Sequence, residues 1–243
     1  MDEDVLISED GPVLEFVLNN TGAGNTITTA MFNAMLETMN EQLQTPSARL
    51  LRIRANGSVF CLGRERSATG LIETHVEVER LVSFKRLLRK LPLITIAEVH
   101  GDAAGFGFGL AILCDYAIVS NSASLYFPEM QFGLPPSAIM TYLAEYIPPR
   151  LAFHLVLTGD TISPETAERI GLISACVAPD HVHLRAEAIS ERILKLDEQA
   201  VRDCKSFFQH SLQNNFEQNA RLAVETLTID SLRLQRRDSL TER

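Results

Sequence analysis

Short apolar segments alternate with amphipathic segments along the first part of the chain. Continuous or alternating apolar runs predict strands, whereas apolar residues at helical spacing predict helices. Strands are expected at residues 5–7, 13–18, 50–54 and 93–99, and helices at residues 28–43 and 77–91. Strands that alternate with helices in this way indicate a parallel sheet with crossover helices, and therefore an α/β core.

After about residue 178 the pattern changes, because helical spacing continues while strand-like runs stop. Three consecutive amphipathic helices are expected at residues 184–196, 199–212 and 216–229. The sequence therefore predicts two parts, an α/β core over residues 1–178 and a C-terminal helical region over residues 179–243.

Composition and charge narrow the choice of partners. Apolar residues make up 46% of the 243 residues, but no apolar run reaches the roughly 20 residues that a membrane-spanning helix needs. The net charge of −9 argues against nucleic acid as a general partner. Residues 1–4 are acidic and unlike a secretory or mitochondrial leader, so the expected location is the cytoplasm.

The cysteine positions predict no metal centre. Cys61, Cys114, Cys176 and Cys204 are far apart and lie mostly in apolar surroundings, which indicates buried reduced thiols. The sequence has no CxxC pair, and its histidines show no spacing typical of a zinc site.

A basic cluster lies on the helix predicted at residues 77–91. Its members are Lys85, Arg86, Arg89 and Lys90. Two interpretations are open, a contact with a small phosphorylated ligand and a solvated helix face, and the solvated face is favoured.

Residues 100–111 contain glycines at positions 101, 105, 107 and 109, between a buried strand and an apolar segment that should begin a helix. Glycines at such a junction let a ligand approach backbone N–H groups at the positive end of a helix dipole. The spacing matches neither GxxxxGK[ST] nor GxGxxG, so a developing oxyanion is a better candidate ligand than a phosphate. Close packing of the helix on the sheet would explain the same glycines.

Two further segments accompany the glycine run. Upstream, residues 59–65 read VFCLGRE and follow a strand and a turn. Downstream, residues 125–134 read LYFPEMQFGL and place one acid, Glu129, among apolar residues. A carboxyl group in apolar surroundings is a candidate general base. The competing interpretation of Glu129 is a surface or capping residue beside Pro128.

The order and spacing of these three segments resemble the enoyl-CoA hydratase/isomerase (crotonase) superfamily. Its members carry a segment like FCAGAD, then one like GxxxGGGxExxxxCD, then FxxPExxxGxxP. Residues 25–27, 114–115 and 157–173 also match the family's NAL-type motif, its CD pair and its LTG…A…GLV stretch. The resemblance covers most of the chain.

The resemblance implies a crotonase-like spiral of ββα turns followed by a C-terminal helical region that forms trimers or hexamers. It also implies an acyl-CoA thioester as the substrate, with CoA as part of that substrate and no separate cofactor, metal or membrane partner.

Position by position, the family's two oxyanion donors fall on the backbone N–H groups of Arg64 and Phe106. Backbone donors do not depend on the side chain, so these residue types are compatible with the role. The Arg64 side chain is expected either near a CoA phosphate or on the surface.

One departure from the family pattern concerns the reaction. Hydratases carry one glutamate in the glycine-rich helix and another in the PE segment, whereas this chain has Gly109 at the first position and Glu129 at the second. Hydration benefits from two carboxylates, but moving a double bond needs one base. Isomerisation is therefore favoured. A hydratase with a substituted second acid stays open, with Asp102 and Glu145 as residues to check, and so does a non-catalytic CoA-binding or scaffold member.

Two other departures concern the binding pocket. Residues 134–138, LPPSA, replace the glycine-rich loop that often follows the PE segment, and they are expected to stiffen that wall. The C-terminal residues show no evident counterparts of the phenylalanine and lysine that help to cover the CoA adenine in the family.

Overall fold

The structure, a computed structural model, describes residues 3–241, with side chains as far as residue 236. The first two residues of the predicted acidic start and the last two of the predicted helical region lie outside this range. The chain divides into two compact units, Met1–Ser190 and Glu191–Arg243. The division after residue 178, drawn from periodicity, stays a prediction.

The first unit is built on a six-stranded sheet in which, among the described residues, only the pair formed by residues 5–10 and 13–18 is antiparallel. A second sheet of two short parallel strands, residues 103–104 and 125–126, lies beside the glycine run. The strands are β1 (Val5–Asp10), β2 (Val13–Leu18), β3 (Leu50–Ala55), β4 (Ile94–Val99), β5 (Ala103–Ala104), β6 (Tyr116–Ser120), β7 (Leu125–Tyr126) and β8 (Ala175–Val177). The order in the large sheet is β1-β2-β3-β4-β6-β8. The predicted α/β class is confirmed.

Helices follow most of the strands, and further helices continue to the end of the described chain. They are α1 (Thr29–Gln44), α2 (Leu71–Lys90), α3 (Phe106–Leu113), α4 (Ser137–Met140), α5 (Leu143–Tyr146), α6 (Pro149–Thr158), α7 (Pro164–Arg169), α8 (Val182–Leu194), α9 (Glu198–Ser211) and α10 (Phe216–Thr241). Short 3-10 helices span Thr21–Ala23, Glu129–Phe132 and Pro179–His181.

Helix α2 begins earlier than the periodicity predicts, at Leu71 rather than at residue 77. Leu71 and Ile72 are 87% and 79% exposed, so the first turn carries no apolar face toward the core. A pattern of buried positions therefore appears only in the second half of the helix, where Leu81, Phe84 and Leu88 are buried.

Burial tests the prediction about the four cysteines. Cys61 and Cys114 are buried, Cys176 is intermediate and Cys204 is exposed, and none of these four described cysteines forms a disulfide. The prediction of a buried thiol is wrong for Cys204, because it occupies an exposed position on α9. Across residues 3–241, no helix combines the length and the apolar character needed to span a bilayer.

Candidate functional site

A cavity of about 540 Å³ lies where the glycine run meets the upstream and downstream segments identified from the sequence. Its titratable lining residues are Arg64, Arg66, Lys85 and Glu129. Its apolar lining residues are Leu62, Val78, Leu81, Phe106, Pro128, Phe132, Leu134, Pro135, Pro136, Ala138 and Ile139. The predicted stiff segment, residues 134–138, forms part of this wall.

Backbone pairing joins the upstream segment to the glycine run. Cys61 and Ala103 form a parallel bridge, and the Ala104 N–H donates to the Cys61 carbonyl oxygen at 2.9 Å. A Cβ atom at Gly107 would lie 2.1 Å from that same oxygen. Glycine is therefore required at position 107, because any side chain would force the two segments apart.

The N–H groups of Arg64 and Phe106 are available at the cavity. Residues on either side of Arg64 pair with Ile27, which accepts from the Glu65 N–H at 2.9 Å and donates to the Gly63 carbonyl at 3.1 Å. Phe106 opens α3, where the first N–H groups have no acceptor within the helix. Among the described residues, neither N–H group donates to a protein acceptor. Their roles as oxyanion donors stay predictions, and the geometry is compatible with both.

The Phe106 side chain fixes the start of α3 in the core. Its ring packs edge-on against Phe32 and Phe84, with centroid separations of 5.1 and 5.7 Å. Since only 5% of Phe106 is exposed, the ring anchors the backbone N–H group at a fixed point of the cavity wall.

Glu129 reaches the cavity because β7 pairs with β5. The register sets Tyr126 beside Ala104, and the Gly105 N–H donates to the Tyr126 carbonyl at 3.0 Å. Glu129 then opens a 3-10 helix, and its Oε1 would lie 2.9 Å from a Cβ atom at Gly105. Gly105 has a φ of +51°, so its lack of a side chain serves both the turn and this close approach.

The Glu129 carboxyl group has the properties of an acid–base group. Its Oε2 atom is buried and has no hydrogen-bond partner within the described part of the chain. Burial raises the pKa of Glu129 above its ordinary value, against the opposing effects of its own backbone N–H group and of the Arg66, Lys85 and Arg64 charges.

Gly109, the position at which hydratases of the family carry a second acid, has no room for a side chain. Gly109 is buried within α3, and a Cβ atom there would lie 2.6 Å from the Tyr142 hydroxyl oxygen and 3.2 Å from Ile139 Cγ1. That hydroxyl group donates to the Gly109 carbonyl at 3.0 Å. Tyr142 therefore fills the space that a side chain at position 109 would use.

Lys85 is a cavity residue that sequence reasoning missed. It is 7% exposed, and its Nζ donates to the Tyr142 hydroxyl at 3.2 Å and to the Ala138 carbonyl at 3.4 Å. Burial lowers the pKa of Lys85 to about 7. The predicted solvated face is therefore wrong for Lys85, although Arg86 and Lys90 are exposed. In the sequence, Lys85 lies four residues after Leu81 and three before Leu88. This helical spacing places it on the apolar face of α2 and could have indicated its burial.

Asp102 and Glu145, the other candidate acids, have partners outside the cavity. The Asp102 carboxylate accepts from the Ser124 N–H at 2.7 Å, and Glu145 pairs with Arg89 at 2.9 Å. Neither lines the cavity, which leaves Glu129 as its only acidic lining residue within residues 3–241. The Arg64 guanidinium pairs with Glu77 and is 16% exposed, so it is not the surface arginine of one interpretation.

No group of three or more His, Cys, Asp and Glu side chains within the described residues is arranged to hold a metal ion. The chemistry that the cavity offers is proton transfer by one carboxyl group beside two free backbone N–H donors and a buried amine.

Comparison with known proteins gives a consistent result. The family model described as Enoyl-CoA hydratase/isomerase matches residues 9–240. A rat protein named enoyl-CoA hydratase domain-containing protein 3, mitochondrial, is 28% identical over 231 residues, which is 93% of this chain and 76% of the relative. The human enoyl-CoA hydratase domain-containing protein 2, mitochondrial, is 31% identical over 206 residues, which is 81% of this chain and 70% of the relative.

Solved structures match over nearly the whole chain. A Mycobacterium smegmatis enoyl-CoA hydratase superposes with a TM-score of 0.89 at 26% identity, covering 94% of this chain and 91% of that one. A putative enoyl-CoA hydratase from Thermobifida fusca, solved in complex with CoA, gives a TM-score of 0.86 at 24% identity, covering 96% and 95%. The crotonase-like fold predicted from the motifs is confirmed.

Proposed function

The chain belongs to the enoyl-CoA hydratase/isomerase family, and on that premise we propose that it moves a carbon–carbon double bond within an acyl-CoA thioester. One observation carries the choice of reaction. Glu129 is the single acid lining the cavity among the described residues, and the space beside Gly109 is taken by the Tyr142 hydroxyl. Isomerisation needs one proton carrier, whereas hydration in this family's pattern uses two carboxylates.

In the proposed reaction the substrate is a β,γ-unsaturated thioester. The Glu129 carboxylate takes a proton from the α carbon, and the electron pair moves onto the thioester oxygen to give a dienolate. The N–H groups of Arg64 and Phe106 donate to that oxygen, where charge develops. Protonated Glu129 then delivers the proton to the γ carbon, which yields the α,β-unsaturated thioester and restores the carboxylate.

CoA enters this scheme as part of the substrate, and no separate cofactor is required. The Thermobifida fusca structure holds CoA in the same fold, which supports a CoA thioester as the ligand. Arg66, an exposed residue on the cavity lining, supplies positive charge suited to a phosphorylated carrier.

The test uses a β,γ-enoyl-CoA and an α,β-enoyl-CoA with the wild-type protein and two variants. We expect the wild type to isomerise the first compound and Glu129→Gln to lose about 100- to 10,000-fold in rate, the usual contribution of a positioned acid–base group. Glu145→Gln is the matched control, since Glu145 lies outside the cavity lining, and it should retain activity. Proton NMR in deuterated water measures how fast the α and γ protons of the thioester are exchanged for deuterium.

Other outcomes identify the alternatives. Hydration of the α,β-enoyl-CoA by the wild type, undiminished in Glu129→Gln, would contradict the proposal and favour a hydratase. CoA binding with no turnover of either thioester would favour a binding or scaffold protein.

We also propose a homotrimer or hexamer. The C-terminal unit leaves large apolar side chains between 62% and 80% exposed, namely Phe208, Phe216, Val224, Leu227 and Ile229. A surface of this kind supports association. Light scattering coupled to gel filtration measures the mass, and a monomer at every concentration would disprove the assembly.

The cytoplasmic location likewise stays a proposal, and the rat and human relatives compared above are named mitochondrial. Fractionation of cells that express the complete gene distinguishes the two compartments.

A further inference from the structure

Lys85 is a buried cation without a carboxylate beside it. The described residues place no Asp or Glu oxygen within ion-pairing distance of its Nζ. Its two polar contacts, the Tyr142 hydroxyl and the Ala138 carbonyl, are both neutral. An ammonium group has three N–H donors, so one donor is left over for a ligand.

The surroundings of Lys85 offset only part of the cost of burying its charge. Two aromatic rings lie within cation–π distance of its Nζ, and such contacts are favourable. Its Nζ lies 4.9 Å from the centroid of the Tyr142 ring and 5.9 Å from that of Phe106. The charged groups that act on it are Glu129, which favours the ammonium form, and Arg64, which disfavours it. Burying an ion without a partner is unfavourable, and an anion inside the cavity would remove that cost.

The net charge of the cavity favours an anionic ligand. Three cationic residues and one acid line it, and the Arg64 charge is already paired with Glu77, which does not line the cavity. The wall around Lys85 includes the apolar side chains Val78 and Leu81, which reduce the local dielectric and strengthen an ion pair.

We propose that Lys85 binds a second carboxylate at the far end of the acyl group, so that the preferred substrates are CoA thioesters of dicarboxylic acids. This inference rests on the proposed function. Lys85 then acts as a specificity-determining residue: its third N–H donates to the ligand carboxylate, while Tyr142 and Ala138 hold the ammonium group in place. Glu129 remains the group that moves the proton.

The test measures binding rather than turnover. The probes are malonyl-, succinyl- and glutaryl-CoA, each compared with a neutral thioester in which two methyl groups replace the two carboxylate oxygens. For the chain length that fits, we expect the wild type to bind the carboxylate about 10- to 100-fold more tightly than its neutral isostere, as buried charge pairs at interfaces do. Isothermal calorimetry gives both dissociation constants.

Lys85→Met removes the charge and keeps an unbranched apolar side chain. In this variant we expect the preference for the carboxylate to disappear while the neutral thioester binds as tightly as before. Arg86→Met is the matched control, because it removes a cation from the neighbouring exposed position of the same helix, and it should keep the preference.

A second readout follows the proton. Because the pKa of Lys85 is about 7 in the empty cavity, binding of a carboxylate should take up a proton above that pH. Calorimetry in two buffers of different ionisation enthalpy detects the uptake, which should be absent in Lys85→Met. A structural role for Lys85 would not produce this signal.

The outcomes separate this inference from the proposed function. Equal binding of each carboxylate and its neutral isostere by the wild type would overturn the role of Lys85 and leave the isomerase proposal standing. Removal of the Lys85 charge by itself raises the Glu129 pKa and shifts the pH profile of isomerisation upward. Loss of isomerase activity toward a neutral β,γ-enoyl-CoA in Lys85→Met that a higher pH does not restore would therefore overturn it as well, by placing Lys85 in the proton transfer. Failure of every CoA thioester to bind would overturn both proposals.

Discussion

The cavity has two walls that are built in different ways. The donor wall consists of residues 61–64 and 105–106, and backbone hydrogen bonds and close glycine contacts hold it together. The helical wall consists of residues 78–85 and 134–139, and it presents side chains to the ligand. Among the described residues of this wall that line the cavity, Lys85 is the one cation.

The difference between the walls separates two functions. Backbone N–H groups are indifferent to side-chain identity, so the donor wall suits a step that is common to many thioesters. Side chains of the helical wall can change without disturbing that step, so this wall suits the recognition of a particular acyl group. Variants in the two walls should therefore have different effects.

The largest expected effect is on stability, from Lys85→Met in the helical wall. The Lys85 pKa is lowered from 10.5 to about 7. Below about pH 7 the lysine is charged in both states, and the folded protein bears the full cost of the buried charge; as the pH rises toward about 10 the folded protein releases its proton first and stability increases. Lys85→Met should thus raise the free energy of unfolding by at most about 5 kcal/mol near neutral pH.

Urea unfolding of both proteins across this pH range checks the expectation. The gain should shrink steadily as the pH rises. A gain that does not depend on pH would show that packing, and not charge burial, explains the effect of the methionine.

The next largest effect is expected from Gly107→Ala in the donor wall. The new Cβ atom would lie 2.1 Å from the Cys61 carbonyl oxygen, so the two donor-bearing segments must separate. We expect the isomerisation rate to fall by about 100- to 1000-fold, the usual cost of losing one oxyanion donor. Gly22→Ala is the control, since a Cβ atom there would contact nothing within 4 Å. Unchanged kinetics in Gly107→Ala would show that the donor wall tolerates displacement.

A smaller effect is expected from Gly109→Ala, a substitution at a buried glycine within α3. Its Cβ atom would lie 2.6 Å from the Tyr142 hydroxyl oxygen. Overpacking of a core typically costs about 1–3 kcal/mol, and we expect a loss of unfolding free energy in that range. Urea unfolding measures it. A neutral result would mean that Tyr142 moves freely and that a longer side chain can be accommodated at position 109.

A loss of stability in the same range is expected from Tyr142→Phe, which keeps the ring and removes the hydroxyl group. The hydroxyl group donates to the Gly109 carbonyl and accepts from Lys85. Each of these two hydrogen bonds usually contributes about 0.5–1.5 kcal/mol, so their loss should lower the free energy of unfolding by about 1–3 kcal/mol. It should also weaken dicarboxylate binding with little change for neutral thioesters. Equal weakening of both ligands would show that Tyr142 shapes the cavity as a whole.

Local sequence determined the elements and the motif positions. Apolar runs and helical spacing predicted β1 to β4 and α1. Each of these elements buries apolar side chains in the core, and such burial produces a periodic pattern in the sequence. Resemblance to the family identified Glu129 and the glycine run, both of which line or border the cavity. It also identified Gly109 as the position without a second acid.

Only the tertiary structure decided what surrounds those positions. The sequence favoured a solvated face over a ligand contact for the basic cluster that includes Lys85. Neither Tyr142 nor Ala138 is close to Lys85 along the chain, so the order of residues did not indicate their contacts. Packing of α2 against the segment that follows Pro135 and Pro136 brings these three residues together. Contacts between residues far apart in sequence depend on how whole elements pack, so only the folded structure shows which side chains surround Lys85.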